Sequence, residues 1–141
     1  MFVRSRISTL LVLSGVCSAA SLAQDTRQGL IQHPSISPDA SHIVFSAAGD
    51  LWSIPQSGGI AERLTVHPGI EGQSRFLHDG SKIVFESNRD GAQNLYTLDL
   101  IEDGDRVAPG ELDRITESDR AMMLGGFSQD GERVLFSAYL Y

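Results

Sequence analysis

Four histidines, one cysteine and a short acidic run are the residues of this 141-residue chain to which chemistry would first be assigned. His33, His42, His67 and His78 share no metal-ligand spacing, such as i and i+4 on one helix face. His33 and His67 each precede a proline at the entrance of an expected strand, which points to structural roles. His78 sits in a turn, and His42 begins a strand without an evident catalytic partner. Asp99, Glu102, Asp103 and Asp105 are acidic enough for a calcium loop, but their spacing departs from the Asp-x-Asp-x-Asp-Gly logic such loops require. A solvated hairpin insertion is expected there instead. No Gly-x-Ser-x-Gly elbow is present, and Ser57-Gly58-Gly59 reads as a hairpin turn. No catalytic, cofactor-binding or metal-ligating residue is therefore assigned, and no cofactor is expected.

The elements that would position these side chains come from a repeat. Ser37-Pro38-Asp39-Ala40 precedes Ile43-Val44-Phe45, His78-Asp79-Gly80 precedes Ile83-Val84-Phe85, and Gln129-Asp130-Gly131 precedes Val134-Leu135-Phe136. A period of about 40–50 residues with strand-like contents is the mark of a β-propeller, each repeat forming one blade. The fold class expected is all-β: a partial propeller of four-stranded antiparallel blades, about two and a half in number. Expected strands fall at 33–37, 42–46, 51–54 and 61–65 in the first blade. In the second they fall at 73–77, 82–87, 94–98 and 112–116, and in the third at 123–127 and 133–139. Asp50-Leu51-Trp52-Ser53-Ile54 matches Asn94-Leu95-Tyr96-Thr97-Leu98, and Arg63-Leu64-Thr65 matches Arg114-Ile115-Thr116. The unequal repeat lengths then become two insertions, of four and seven residues, which are expected in loops, where insertions are tolerated. Trp52 and Tyr96 take equivalent third-strand positions and are expected to pack rather than stack on a ligand. Asp50, Arg63 and Arg114 are candidates for hydrogen bonds between strands. Asp79-Gly80 and Asp130-Gly131 suit a tight turn with a left-handed residue, whereas alanine at position 40 would be strained by roughly 1–2 kcal/mol in that conformation.

Residues 1–23 stand outside this repeat. Arg4 and Arg6, an apolar run from Ile7 to Cys17 and the small-residue ending Ser21-Leu22-Ala23 follow the plan of a secretory signal peptide, cut after Ala23. The run is broken by Ser8, Thr9, Ser14 and Gly15 and is shorter than the roughly 20 residues of a bilayer span, so no stable membrane span is expected. Cleavage removes Cys17, the single cysteine, and with it any disulfide or thiolate site. It also takes Lys+Arg from 11 to 9 against 18 acidic residues. Such a balance argues against nucleic acid, whose binding domains present basic faces. The divisions expected are 1–23 signal peptide, 24–32 lead-in, 33–66 first blade, 67–116 second blade and 117–141 partial third blade, with a periplasmic or secreted destination.

The run from His33 to Asp39, Gly49-Asp50-Leu51-Trp52, the stretch from Gly58 to Thr65 and His67-Pro68-Gly69 together resemble the opening blades of tricorn-like serine peptidases. The repeat unit is also similar to those of TolB and dipeptidyl-peptidase propellers. The resemblance implies a long multidomain enzyme in which an N-terminal propeller precedes further modules, a PDZ domain and a C-terminal peptidase domain holding the catalytic serine. It implies no catalytic residue in this segment, which would serve as a scaffold or peptide-entry gate. The alternatives are a TolB-like interaction module and the propeller of a dipeptidyl-peptidase-like hydrolase.

A single blade cannot bury both faces of its sheet. Ile43, Phe45, Ile83, Phe85, Val134 and Phe136 are therefore expected to need neighbours. Two and a half blades leave both end flanks open, so the chain alone is expected to be marginal. Its partners would be the remaining blades and catalytic domain of a longer chain, or other propeller subunits, with peptides as possible substrates.

Overall fold

The computed structural model describes residues 30–138. The expected signal peptide and its cleavage point lie outside the described residues, as do positions 139–141. Ten strands follow one another: β1 (Gln32–Ile36), β2 (His42–Ala47), β3 (Asp50–Pro55), β4 (Glu62–Arg63), β5 (Glu71–Phe76), β6 (Lys82–Ser87), β7 (Asn94–Asp103), β8 (Arg106–Arg114), β9 (Met122–Phe127) and β10 (Val134–Ala138). They form three antiparallel meanders in sequence order, β1 to β4, β5 to β8, and the pair β9–β10. Among the described residues no helix is long and apolar enough to cross a membrane.

The apolar triplets divide their side chains between two neighbours, because successive residues of a strand point to opposite faces. Ile83 and Phe85 join Tyr96 and Leu98 in a core closed from the first blade by Val44, Leu51 and Leu64. Val84 points the other way and meets Leu95 and Leu124, against which Val134 and Phe127 pack. The two sheets are therefore glued through their faces, as stacked blades are. At the ends this logic runs out. Ile36, the counterpart of buried Phe76, is 55% exposed, while Leu135 and Phe136 are 54% and 48% exposed.

Each first strand carries an irregularity where it pairs with the second: between Gln32 and Ser35, between Glu71 and Ser74, and on β9 opposite Leu135 and Phe136. His33 sits in the first of these with φ 51°. β-Bulges of this kind bend the strand and increase its twist.

Two expectations about strand extent are corrected. The seven-residue insertion of the second blade is not a loop. It continues the ladder, giving ten residues to β7 and nine to β8, with pairs as far out as Asp103 and Arg106. Leu100, Ile101, Val107 and Ala108 keep strand-compatible chemistry through the insertion, and a two-residue turn at Gly104-Asp105, with Gly104 at φ 68°, closes it. Conversely, the expected strand at 61–65 shrinks to Glu62–Arg63. The amides of Leu64 and Thr65 both reach Leu51 O, at 2.8 and 3.4 Å, so the ladder stops there.

Candidate functional site

The end of each fourth strand is fastened by a threonine. Thr65 Oγ1 accepts the Leu51 amide proton at 2.9 Å, and Thr116 Oγ1 accepts that of Leu95 at 2.8 Å. The hydroxyl replaces the ladder partner that an edge strand would have supplied. Beside it lies the first residue of the third strand. Asp50 accepts from the Arg63 guanidinium and from the His67 amide, whereas Asn94 accepts from Thr116 Oγ1 at 3.0 Å and donates to Ser118 O at 2.9 Å. The acid thus fastens its corner by accepting alone, and the amide by both accepting and donating. The bond expected between Asp50 and Arg63 is present, and Arg114 donates from Nε to Thr116 O at 2.7 Å.

The seam between the first two blades carries buried charge. Glu71 opens β5 with its side chain wholly shielded from solvent, and Arg89 pairs with its Oε1. Oε2 has no partner. Burial pushes the Glu71 carboxyl above its ordinary value, and the Arg89 charge pulls against that shift. The Arg89 guanidinium also lies 5.4 Å from the Phe85 ring centre and 5.0 Å from that of Tyr96, within cation–π range. Phe85 and Tyr96 stack at 5.8 Å, and Tyr96 donates to Asp90 at 2.6 Å. Desolvation, followed by that bond to Asp90, pushes the Tyr96 hydroxyl up to about 12. Tyr96 is therefore a packing residue, as its third-strand position suggests. Trp52, in the same register, is half-buried, lies 5.9 Å beneath Arg63 and donates from Nε1 to Ala47 O at 3.0 Å.

The three Asp turns form a second recurring device. Asp39 Oδ1 receives Ser37 Oγ, Ser41 N and Ser41 Oγ at 2.6, 3.0 and 2.7 Å. Those donors, the Ser37 hydroxyl first, lower its carboxyl to about 2. Asp79 takes the same two groups from Ser81, chiefly its backbone amide, and is also lowered. The residues that follow, Ala40, Gly80 and Gly131, all take positive φ, at 60°, 75° and 76°. Alanine thus adopts the left-handed conformation for which strain is expected. At Gly131 there is a further reason that the sequence did not disclose. A Cβ on Gly80 would meet Pro38 Cδ at 3.4 Å, an ordinary contact, whereas one on Gly131 would overlap the His78 ring. The second turn thus leans on the glycine of the third.

The histidines are dispersed, and among the described residues no group of three His, Cys, Asp or Glu could hold a metal ion. His67 Nδ1 accepts from the Gly69 amide at 3.0 Å. His42 Nε2 donates to Asp105 O at 3.1 Å, which fixes its proton on that nitrogen. That bond is the main surprise of the acidic insertion: the long β7–β8 hairpin reaches back over the first blade. Arg106 beside the turn pairs with Glu62 at 2.9 Å. Beneath the bridge lies a cavity of about 320 Å³, with Phe76, Leu100 and Val107 as apolar lining and Asp39, Asp79 and Glu102 among the polar residues around it. A signal for it was present in the insertion, where Leu100-Ile101 and Val107-Ala108 flank the acidic tip, but nothing local says on which blade the tip will land. Ser57-Gly58-Gly59 forms the expected turn, with Gly58 N donating to Pro55 O at 2.9 Å.

The family described as the tricorn protease N-terminal beta propeller domain matches residues 28–139. The chain belongs to this family. A tricorn protease of Thermoplasma volcanium is 30% identical over 116 residues, which cover 75% of this chain and 10% of that protein. Among solved structures, TolB from Acinetobacter baumannii superposes with a TM-score of 0.60 at 27% identity, covering 74% of this chain and 26% of its own. A putative TolB from Agrobacterium tumefaciens gives 0.64 at 25%, covering 77% and 38%, and the tricorn protease 0.57 at 26%, covering 74% and 10%. The tricorn-type chain therefore spans a small part of the relatives it matches.

Proposed function

We propose that this segment is the non-catalytic N-terminal propeller portion of an exported tricorn-like serine peptidase, acting as scaffold or peptide-entry gate. The observation that carries this reading is the family match across 28–139, joined to a tricorn protease relative of which this segment corresponds to a tenth. The open flanks at Ile36 and at Leu135 and Phe136 support it, because further blades belong against them. The early arginines, apolar run and Ala23 ending support export. The reaction would be carried out elsewhere in the polypeptide, by a serine nucleophile outside these blades.

The test uses the full natural polypeptide, exposed to a fluorophosphonate probe and to a peptide library. Covalent labelling of a serine outside residues 24–141, with peptide turnover and an exported product starting at Gln24, is expected. An unlabelled, inactive polypeptide would favour the second reading, a TolB-like envelope interaction module, which draws on the superpositions with the two TolB structures. A product that keeps its first residues and stays in the cytoplasm would overturn export.

A further inference from the structure

The cavity under the β7–β8 bridge exists because the second blade's outer hairpin is longer than that of the first. Leu100, Glu102 and Val107 all belong to the extension, and the extension is held over the first blade by His42 and Glu62. Its two kinds of lining point in different chemical directions. Phe76 and Val107 are buried apolar residues, and Leu100 packs against the same core. Asp39, Asp79 and Glu102 come from three separate turns or strands and converge on the same space, and no lysine or arginine lines it. The nearby cations make their direct ion pairs outside the cavity, Lys82 with Asp99 at 2.6 Å and Arg106 with Glu62, although the Lys82 charge is still felt weakly by Asp79. In both Asp turns the hydrogen bonds run to Oδ1, so the second oxygen of each carboxylate is available.

An acidic rim on an apolar floor excludes most ligand classes. Phosphates and nucleic acid would be repelled. A bare metal ion would want several oxygens at close range, and these acids do not provide that arrangement. A wholly apolar ligand would bury carboxylates without a partner. The match is a group with an alkyl stem and a cationic head, the form that lysine and arginine side chains take when the stem lies on apolar surface and the charge stays at the rim.

We propose that this cavity binds a lysine or arginine side chain of an extended peptide, with the stem over Phe76, Leu100 and Val107 and the head among Asp39, Asp79 and Glu102. The proposal goes beyond the peptidase reading and is independent of it, since a propeller with no enzyme attached would carry the same cavity. Basic residues would be held at the seam of the first two blades, and acidic peptides excluded.

Binding is measured on the full natural chain by amide-resolved NMR titration with three blocked amino-acid amides: arginine, its uncharged isostere citrulline, and norleucine. Arginine amide is expected to shift the amides of Ser41, Ser81 and Glu102 and to bind about fivefold tighter than citrulline at low salt, a preference that salt erases. Glu102 is exposed, so Glu102→Gln leaves the fold intact; it should weaken arginine about 1.5- to 5-fold and leave citrulline unchanged. Glu102→Lys should abolish the preference. Equal binding of all three amides, arginine binding indifferent to both variants, shifts confined to another surface, or no saturable binding would each overturn the proposal. None of these outcomes depends on peptidase activity, so this proposal and the peptidase reading can fail separately.

Discussion

The first and second blades are built to one pattern and meet different surroundings. In the second, the stripe Phe85–Tyr96 faces the first blade and is sealed by it, with Arg89 laid across both rings and Glu71 buried beneath. In the first, the corresponding stripe Phe45–Trp52 is covered chiefly from within its own sheet: Phe45 is buried, Trp52 lies half-buried under Arg63, and Ile36 at the inner edge is open. The difference teaches that the repeat specifies the sheet, whereas the neighbour specifies the seam. Strand register survives on an open flank, because ladder bonds are internal to a blade. Charge is shielded to different depths: in Glu71–Arg89, at the seam, both partners are buried, whereas in Asp50–Arg63 of the first blade the acid is buried and the arginine stays partly in solvent.

Four experiments would break or sharpen that comparison. The largest effect is expected at the charged seam. Glu71→Ala strands Arg89 and should cost about 3–5 kcal/mol in urea melts, whereas joint replacement by Glu71→Leu and Arg89→Met should be neutral or stabilising by about 1–4 kcal/mol. If the double variant is as unstable as the single one, the seam needs the charges themselves.

Next come the apolar positions. Ile83→Ala, at a residue with no exposed surface, should cost about 2–5 kcal/mol. Ile36→Ala, on the open edge, should stay within about 0.5 kcal/mol in the segment alone, and should cost more in the full polypeptide, where a further blade is proposed to cover that edge. Equal losses in the two would break the comparison.

The turns give a smaller contrast. Gly131→Ala meets both a positive φ and the His78 ring, and should cost more than the roughly 1–2 kcal/mol of the backbone conformation alone. Gly80→Ala, where Pro38 stands at ordinary contact distance, should cost less. Ala40→Gly should raise the melting midpoint, the gain in stability being under about 1 kcal/mol once the flexibility of glycine in the unfolded chain is set against the relieved strain.

The subtlest contrast is in pH. Glu71 holds its proton more tightly folded than unfolded, so its contribution to stability falls as pH rises from 4.5 through its raised folded value. Asp39 behaves in the opposite sense: its folded value is depressed, so its contribution is present above 3.8 and is lost as pH falls towards about 2. Urea midpoints of the wild type and Glu71→Gln across pH 2–8 should diverge above pH 4.5 and run parallel below about 4. Divergence confined to the acid limb would contradict the assignment to Glu71.

Much of the architecture could be read from the amino acids because blade strands alternate apolar and polar residues, and because Asp-Gly turns and Arg-Leu-Thr or Arg-Ile-Thr endings recur at fixed places. The strand starting at Lys82 and the equivalence of Trp52 with Tyr96 needed no tertiary information. What stayed hidden depends on contact between repeats. Nothing adjacent to Glu71 signals burial, since its shielding comes from the other blade. The seven-residue insertion looked like a loop because its acids dominated the count, while Leu100, Ile101, Val107 and Ala108 quietly continued the ladder. The second duty of Gly131 was invisible for the same reason, since its obstructing neighbour, His78, lies 53 residues earlier. The candidate cavity belongs with these, because its floor and rim are assembled from both blades.

The leaning of His78 on Gly131 gives the second and third blades an order as well as a shape. Copies duplicated from a common unit would be interchangeable if each were self-sufficient; here the third unit wears a notch cut for its predecessor. Shuffling, deleting or recombining these modules would set a bulky tip against an unprepared seat, and drift at one turn can proceed only as far as the glycine across the boundary permits.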